Sequence, residues 1–153
     1  MCLGNICRSP LAESVFRHLA AERGVDDLLE IDSAGTSGFH NGAPPDERSV
    51  ATARSRGIHV TGRSRQLVPA DLERFDHVIV MDAQNLADAE RMLSRSGGSA
   101  RVSLLRAWDP DGGPGDVPDP YYGGATGFED VHDIVERSCE RLLDAVLAEI
   151  DVD

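Results

Sequence analysis

The sequence predicts an α/β protein in which a parallel sheet is covered by helices on both faces. Three observations support this fold class. Segments with helical periodicity alternate with short apolar runs, as in βαβ units. The clearest run, Val78-Ile79-Val80-Met81, is apolar at every position, which is typical of a strand buried on both faces. The chain has 153 residues and 41% hydrophobic residues, so we expect one domain spanning residues 1–153.

The first half of the chain begins with a predicted helix from Ser9 to Arg23, with Ser9 as N-cap and Gly24 as the stop. Its apolar positions at helical spacing are Leu11, Val15, Phe16 and Leu19. The apolar run Leu28–Ile31 is a possible strand. The segment Ser33–Pro45 is rich in Gly, Ser, Asn and Pro, so it is predicted to be a long loop.

The second half continues the alternation. The predicted elements are a helix at Asp46–Arg56, a short helix at Pro69–Arg74, a strand at His77–Met81, a helix at Gln84–Arg95, a strand at Arg101–Leu105, a long loop at Ala107–Gly127 and a helix at Phe128–Ile150. Ligands of parallel sheets bind beyond the carboxyl ends of the strands, and long loops in compact domains are usually functional. We therefore expect the chemistry in the N-terminal turn and the two long loops.

Composition excludes several function classes. A net charge of −12 argues against a sequence-independent nucleic-acid binder, so any anion site must be local. No apolar run is long enough to cross a membrane and no signal peptide is visible, which favours a cytoplasmic protein with reduced thiols. The three cysteines are too few and too irregularly spaced for a disulfide framework or a zinc site.

The segment Cys2–Pro10 has the spacing C-x5-R-S and leads directly into the first predicted helix. A tight turn before a helix directs backbone N–H groups at one point and forms an anion cradle. Arg8 supplies a fork of donors that matches phosphate oxygens, and the same charges favour the thiolate of Cys2. A thiolate below a bound phosphoryl group is placed for in-line attack, and the Ser9 hydroxyl can support its departure. The predicted phosphate-binding residues are Leu3, Gly4, Asn5, Ile6, Cys7, Arg8 and Ser9.

The reaction also needs an acid for the leaving oxygen, and Asp119 in the second long loop is the candidate. It would protonate the leaving phenolate and then act as base on the hydrolytic water. Tyr121 and Tyr122, with Phe39 from the first long loop, are predicted to form aromatic walls around a phenyl phosphate.

Each of these residues also has a structural interpretation. Asp119 alone would more often be a turn residue before proline, and the aromatic residues alone could pack the loops onto the body. Cys139 is predicted to be a small core residue. Cys7 is either inert or a partner for a reversible disulfide that protects Cys2 from over-oxidation.

These motifs resemble the low-molecular-weight protein-tyrosine phosphatases over nearly the whole chain. The resemblance is carried by Cys2–Pro10, Leu11-Ala12-Glu13, Asp32–Thr36, Val80-Met81-Asp82 with Asn85, and Asp119-Pro120-Tyr121-Tyr122. It implies a three-layer, flavodoxin-like fold with four parallel strands, metal-free and cofactor-free catalysis, and phosphotyrosine-containing proteins as substrates. It also implies that Asn5 and Ser33 hold the phosphate loop and that Asp82 belongs to the polar network around it. We expect a monomer or a weak dimer.

Related activities remain open. Members that dephosphorylate arginine tend to carry Thr at the position of Ile6 and to lack the tyrosine pair, so Ile6 and Tyr121-Tyr122 favour phosphotyrosine. Arsenate reductases need a further redox cysteine pair, whereas Cys139 lies within a helical apolar stripe. The family usually has a histidine near Gly62-Arg63, where the nearest one here is His59.

The start of the chain also departs from the family pattern, because the strand expected before Cys2 is reduced to Met1. Loss of that strand would remove ladder partners from its neighbours. We therefore expect that the natural protein begins several residues upstream. An inactive, N-terminally truncated phosphate-binding form is the alternative.

Overall fold

The computed structural model describes residues 1–112, 115–120 and 127–152, and it has the predicted α/β architecture. The helices are α1 (Arg8–Glu22), α2 (Glu47–Ser55), α3 (Asp71–Arg74), α4 (Ala83–Ser96) and α5 (Gly127–Val152), and the strands are β1 (His77–Val80) and β2 (Arg101–Leu104). Two 3-10 turns lie at Asp26–Leu28 and Leu105–Trp108. Tyr121 and Tyr122 lie outside the described residues.

The sheet is parallel, with His77 of β1 opposite Arg101 of β2 and Val80 opposite Leu104. On the other side of β1, the amide of Met81 donates to the carbonyl of Met1 at 3.2 Å. Isolated parallel bridges then join Cys2 to Gly35 and Gly35 to Gln66. The described residues thus form a two-stranded sheet extended by single bridges, and the four-stranded sheet stays a prediction.

Two local predictions were wrong. The run Leu28–Ile31 does not form a strand, because it begins in the 3-10 turn and its Leu28 side chain is 59% exposed rather than packed in a sheet. Ser9 does not cap α1, since the helix begins one residue earlier and Cys7 occupies the cap position without a side-chain bond. The Ser9 hydroxyl is instead within hydrogen-bond distance of the Cys2 sulfur.

Apolar side chains pack on both faces of the sheet. One cluster joins α1, α2 and α5 and includes Leu11, Val15, Met81, Leu105, Val131, Val135, Cys139 and Leu142. The other lies under α3 and α4 and includes Met1, Ala34, Leu72, Val78, Val80, Ala89 and Ala100. Alternate residues of β1 thus face opposite layers, as expected for a strand between two helical layers.

Local capping groups close several helix ends. The Asp46 side chain caps α2 by accepting from the amide of Arg48, and the Asp82 side chain caps α4 by accepting from the amide of Asn85. Gly97 closes α4 in the left-handed conformation, with φ of 71°. In the described ranges, no helix combines the length and apolar character needed to cross a membrane.

Candidate active site

The loop from Cys2 to Arg8 is held from outside by its carbonyl groups. The carbonyls of Cys2, Leu3 and Ile6 accept from the amides of the surrounding loops at 2.7–2.9 Å, and the carbonyl of Gly4 accepts from the Ser64 hydroxyl at 2.9 Å. In a trans peptide group the N–H points away from the C=O, and the described residues contain no cis peptide. The N–H groups that follow these carbonyls therefore point to the inside of the loop, as the predicted anion cradle requires.

Two backbone features allow this turn. Asn5 has φ of 56°, in the left-handed region that asparagine tolerates better than most residues. Gly35 passes directly beneath the loop, where a Cβ atom would lie 2.7 Å from the Leu3 carbonyl oxygen and 3.1 Å from the Asn5 nitrogen. A residue without a side chain is therefore required at Gly35 for this close approach.

Cys2 lies at the base of the loop, and its side chain is buried but for 3% exposure. Its sulfur is 3.0 Å from Ser9 Oγ. Asn5 Nδ2 donates to Ser9 Oγ at 2.8 Å and to Ser33 Oγ at 3.0 Å. The residues predicted to support the loop, Asn5 and Ser33, thus lie in one hydrogen-bonded network with Cys2.

Arg8 is buried at the start of α1, and its guanidinium is bound from several sides. Its Nη1 donates to Asp82 Oδ2 at 2.8 Å and to the Val117 carbonyl at 2.9 Å. Its Nη2 lies 3.6 Å from Asp119 Oδ2. Asp82, predicted to belong to the polar network around the loop, thus contacts the Arg8 side chain.

Asp119 reaches the site because its segment is fixed at the carboxyl end of β1. The Val117 amide donates to the Met81 carbonyl at 2.7 Å, and the Val117 carbonyl accepts from Arg8. The Asp119 side chain is 32% exposed, so it contacts both the buried cation and solvent. A carboxyl group in this position is able to exchange protons with water while it faces the loop.

A cavity of about 360 Å³ opens above the loop. It is lined by Cys2, Leu3, Gly4, Ile6, Cys7, Arg8, Ser37, Phe39, His40 and Asp119. Phe39 is 86% exposed, and it makes an edge-to-face contact with His40, with ring centroids 5.0 Å apart. The structure thus brings the N-terminal motif, Asp119 and Phe39 to one cavity.

The other two thiols lie in different surroundings. Cys7 and Cys139 are buried and, like Cys2, free of disulfides. Burial, followed by the nearby Asp46 carboxylate, raises the pKa of the Cys7 thiol to about 12. Burial also raises the pKa of Cys139 to about 12, in agreement with a core position against α1.

Some contacts to the loop were not predicted from the sequence. The stretch near Gly62-Arg63, where the family usually has a histidine, contains none, and His59 is exposed. Ser64 binds the Gly4 carbonyl, and the Arg65 amide donates to Asn5 Oδ1 at 3.0 Å. Glu13 accepts from the Ser33 hydroxyl at 2.6 Å. The spacing of Glu13 four residues after Ser9 on α1 is the signal that would have placed it near the loop.

Comparisons with known proteins agree with this site. The family model described as low molecular weight phosphotyrosine protein phosphatase matches residues 1–152. A low molecular weight protein-tyrosine-phosphatase of Streptomyces coelicolor is 42% identical over 153 residues, which cover 99% of this chain and 93% of the relative.

Solved structures show the same fold. A protein tyrosine phosphatase from Entamoeba histolytica, with Hepes in its active site, superposes with a TM-score of 0.90 at 34% identity and covers 97% of this chain and 94% of its own. A Drosophila arginine phosphatase has a TM-score of 0.89 at 29% identity, with 95% and 94% covered. By its sequence, its fold and the arrangement around Cys2, this chain belongs to the low molecular weight phosphotyrosine protein phosphatase family.

Proposed function

We propose that this protein is a protein-tyrosine phosphatase that hydrolyses phosphotyrosine through a phosphocysteine intermediate. The observation that carries the proposal is the meeting of the Cys2 sulfur, the Arg8 guanidinium and the Asp119 carboxyl at one cavity. Family membership supports the same activity. A phosphotyrosine-containing protein is the proposed substrate and the cytoplasm the proposed location.

In the first step, the inward N–H groups of the loop and Arg8 bind the phosphate oxygens. The Cys2 thiolate attacks phosphorus, the P–S bond forms and the P–O bond to the phenol breaks. Asp119 gives its proton to the leaving phenolate oxygen. In the structure, Arg8 Nη2 lies 3.6 Å from Asp119 Oδ2. A bound phosphate would replace this contact with its own bond to Arg8, so that the Asp119 carboxyl can face the leaving group.

In the second step, a water molecule attacks the phosphorus of phosphocysteine. Asp119 takes a proton from that water, the P–S bond breaks and its electron pair returns to the sulfur. The Ser9 hydroxyl, 3.0 Å from the sulfur, is placed to hydrogen-bond to the departing thiolate. Inorganic phosphate is released and the enzyme returns to its initial state.

The shape of the site favours an aryl phosphate over the alternatives. Cys2 shares its cavity with the exposed Phe39 ring, which contacts His40 edge to face, and an aromatic wall of this kind suits a planar phenyl ring. Ile6 also lines the cavity, as proposed for phosphotyrosine specificity. Phosphoarginine remains the second candidate because one structural neighbour is an arginine phosphatase. Arsenate reduction has less support, since Cys139 is buried against α1 rather than beside the cavity.

The loop also needs a firm base for this chemistry. We include in the proposal that Met1–Cys2 and the segment ending at Gly35 act as the two remaining strands of a four-stranded parallel sheet. The parallel bridge between Cys2 and Gly35 and the bond from Met81 to Met1 support it.

One set of assays tests the proposed function. The purified protein is offered aryl phosphates, phosphotyrosine peptides, phosphoarginine and arsenate. Cys2→Ser is expected to abolish turnover. Asp119→Asn is expected to lower kcat/KM by about a hundredfold for weakly acidic phenols and much less for nitrophenol, because a good leaving group needs no proton.

Asp111→Asn serves as the matched control, since this exposed aspartate lies in the same long loop but does not line the cavity. Turnover that survives Cys2→Ser would overturn the mechanism. Turnover of phosphoarginine well above that of aryl phosphate would replace the proposed substrate class. An Asp119→Asn effect equal for all leaving groups would remove Asp119 as the acid.

A further inference from the structure

A chain of hydrogen bonds connects Glu13, near the surface of α1, to Cys2. The Ser33 hydroxyl donates to Glu13 Oε1 at 2.6 Å, and Asn5 Nδ2 donates to Ser33 Oγ at 3.0 Å. Asn5 Nδ2 also donates to Ser9 Oγ at 2.8 Å, which lies 3.0 Å from the Cys2 sulfur. Glu13 is thus connected to the nucleophile through three polar side chains.

The directions of these bonds follow from the donors. An amide nitrogen can only donate, so the oxygens of Ser9 and Ser33 both act as acceptors towards Asn5. The Asn5 amide cannot turn over, because its Oδ1 accepts from the Arg65 amide at 3.0 Å. Each hydroxyl then has one proton left to donate.

The Ser33 proton goes to the Glu13 carboxylate. The Ser9 proton is directed at Cys2, because the Cys2 sulfur is the one acceptor within reach of Ser9 Oγ in the part of the chain that the structure describes. Ser9 and Asn5 are at most 2% exposed, so bulk water does not readily replace a missing partner.

We propose that Glu13 is a positioning residue that, through Ser33 and Asn5, holds the Ser9 hydroxyl as a hydrogen-bond donor to the Cys2 sulfur. The inference rests on the proposed function. Glu13 is itself held in place: its second oxygen, Oε2, accepts from Arg17 Nε at 3.0 Å, and its side chain is 19% exposed. One carboxylate oxygen therefore binds the network and the other binds a surface arginine.

The two chemical steps need this donor to different degrees. When phosphocysteine is hydrolysed, the P–S bond breaks and negative charge appears on sulfur, so a donor from Ser9 stabilises the transition state. When phosphocysteine forms, the sulfur loses its charge and the same donor gives no advantage. Disturbing Glu13 should therefore slow the second step selectively.

The test is Glu13→Leu, which keeps the size of the side chain and removes its acceptors. We expect kcat to fall about tenfold on an activated aryl phosphate. KM should fall in proportion, so that kcat/KM stays within about twofold. Phosphocysteine should accumulate in the steady state, as measured by intact mass after rapid acid quench.

Three further variants make the test specific. Glu13→Gln retains an acceptor oxygen for Ser33 and is expected to restore most of kcat. Ser33→Ala should reproduce Glu13→Leu, and the double variant should be no slower than either single one. Glu22→Leu, on the same helix with its carboxylate 2.8 Å from His18 Nε2, is the control and should behave as the parent protein.

An equal loss in kcat and kcat/KM without phosphocysteine accumulation would overturn the proposal, and so would additive effects of the two substitutions. If Glu13→Leu does not fold, Ser33→Ala decides alone, because it breaks the same link and leaves the Glu13–Arg17 pair intact. An inactive parent protein would instead count against the proposed function. If the parent is active and the variants neither lower kcat nor accumulate phosphocysteine, the role of Glu13 is rejected and the proposed function stands.

Discussion

Two cysteines of the same loop differ in the atoms around them. Cys2 lies beside Ser9 at the base of the cavity, whereas Cys7 lies near the Asp46 carboxylate, and burial with that carboxylate raises its pKa to about 12. A thiol with this pKa is almost entirely protonated at neutral pH and is a poor nucleophile.

We therefore predict that iodoacetamide at neutral pH does not label Cys7 in the folded protein. Cys139, whose pKa is also raised to about 12 by burial, should be equally protected. Peptide mapping of native Cys2→Ser should show both thiols unmodified, and both should react once the chain is unfolded. Rapid labelling of Cys7 in the native protein would contradict the raised pKa.

The protective disulfide between Cys2 and Cys7 stays a prediction of its own. Mild peroxide followed by mass spectrometry should detect a Cys2–Cys7 link if Cys7 resolves the oxidised nucleophile. Irreversible sulfonate on Cys2 alone would favour the inert alternative, which agrees with the protonated resting state of Cys7.

At this scale, the sequence indicated which residues meet but not how they are held. Cys2, Arg8 and Asp119 line one cavity, because loops that follow parallel strands meet at one edge of the sheet. The hydrogen bonds from Ser64 to the Gly4 carbonyl and from Ser33 to Glu13 were not predicted. Each depends on the position of a single hydroxyl or carboxylate oxygen, and hydrophobic periodicity carries no information about such positions.

Among the structural elements, the segment from Ala34 to Thr36 determines how closely the phosphate loop is supported. The amide of Cys2 donates to the Ala34 carbonyl, and the amide of Thr36 donates to the Cys2 carbonyl. Gly35 lies between them, beneath the backbone of Leu3 and Asn5. The contact is made by backbone atoms on both sides, so a side-chain rotation cannot relieve a clash there.

We predict that Gly35→Ala destabilises the protein by about 1–3 kcal/mol, because the added Cβ would lie 2.7 Å from a backbone oxygen. Activity should fall further than stability alone explains, since the loop itself must move. Urea denaturation and kcat/KM on an aryl phosphate measure the two effects.

Gly127→Ala is the matched control for this substitution, because its new Cβ would lie 3.7 Å from Pro120, the nearest neighbour among the described residues. That is an ordinary contact distance, and alanine is the better helix former at the start of α5. Equal losses from Gly35→Ala and Gly127→Ala would show that close approach to the loop is not the cause.

The helices were easier to predict than the strands. All five predicted helices are confirmed within one or two residues at most ends, because caps and glycine stops act locally. The run Leu28–Ile31 was misjudged, since a few apolar residues look the same in a strand and in an exposed turn. Whether such a run becomes a strand depends on pairing with a distant segment, and the sequence of the run does not identify that segment.

At the scale of the whole molecule, α5 packs against α1 and closes one layer of the core. Arg56, which follows α2, makes ion pairs with Glu129 and Asp133 on the outer side of α5. Between these residues on α5 lies His132, which is fully buried. Among the described residues, neither of its ring nitrogens has a hydrogen-bond partner.

This burial gives the fold a predictable sensitivity to acid. Burial, and then the Arg56 charge, lower the pKa of His132 below its usual 6.5, whereas Asp133 and Glu129 act weakly in the opposite direction. Below about pH 6.5 the unfolded chain binds a proton that the folded chain does not, so the free energy of unfolding falls as the pH falls towards the folded pKa. The carboxylates with lowered pKa, such as Asp71 and Asp109, act in a more acidic range.

We predict that His132→Leu removes a pH dependence of up to about 1.4 kcal/mol per pH unit between neutral and mildly acidic pH. The apolar side chain also relieves two unpaired polar atoms, so the variant should be more stable than the parent below pH 6.5. Urea denaturation at a series of pH values measures the free energy of unfolding, with the exposed His59→Gln as control. If His132→Leu and the parent lose stability in parallel as the pH falls, His132 is not the group that couples acid to unfolding.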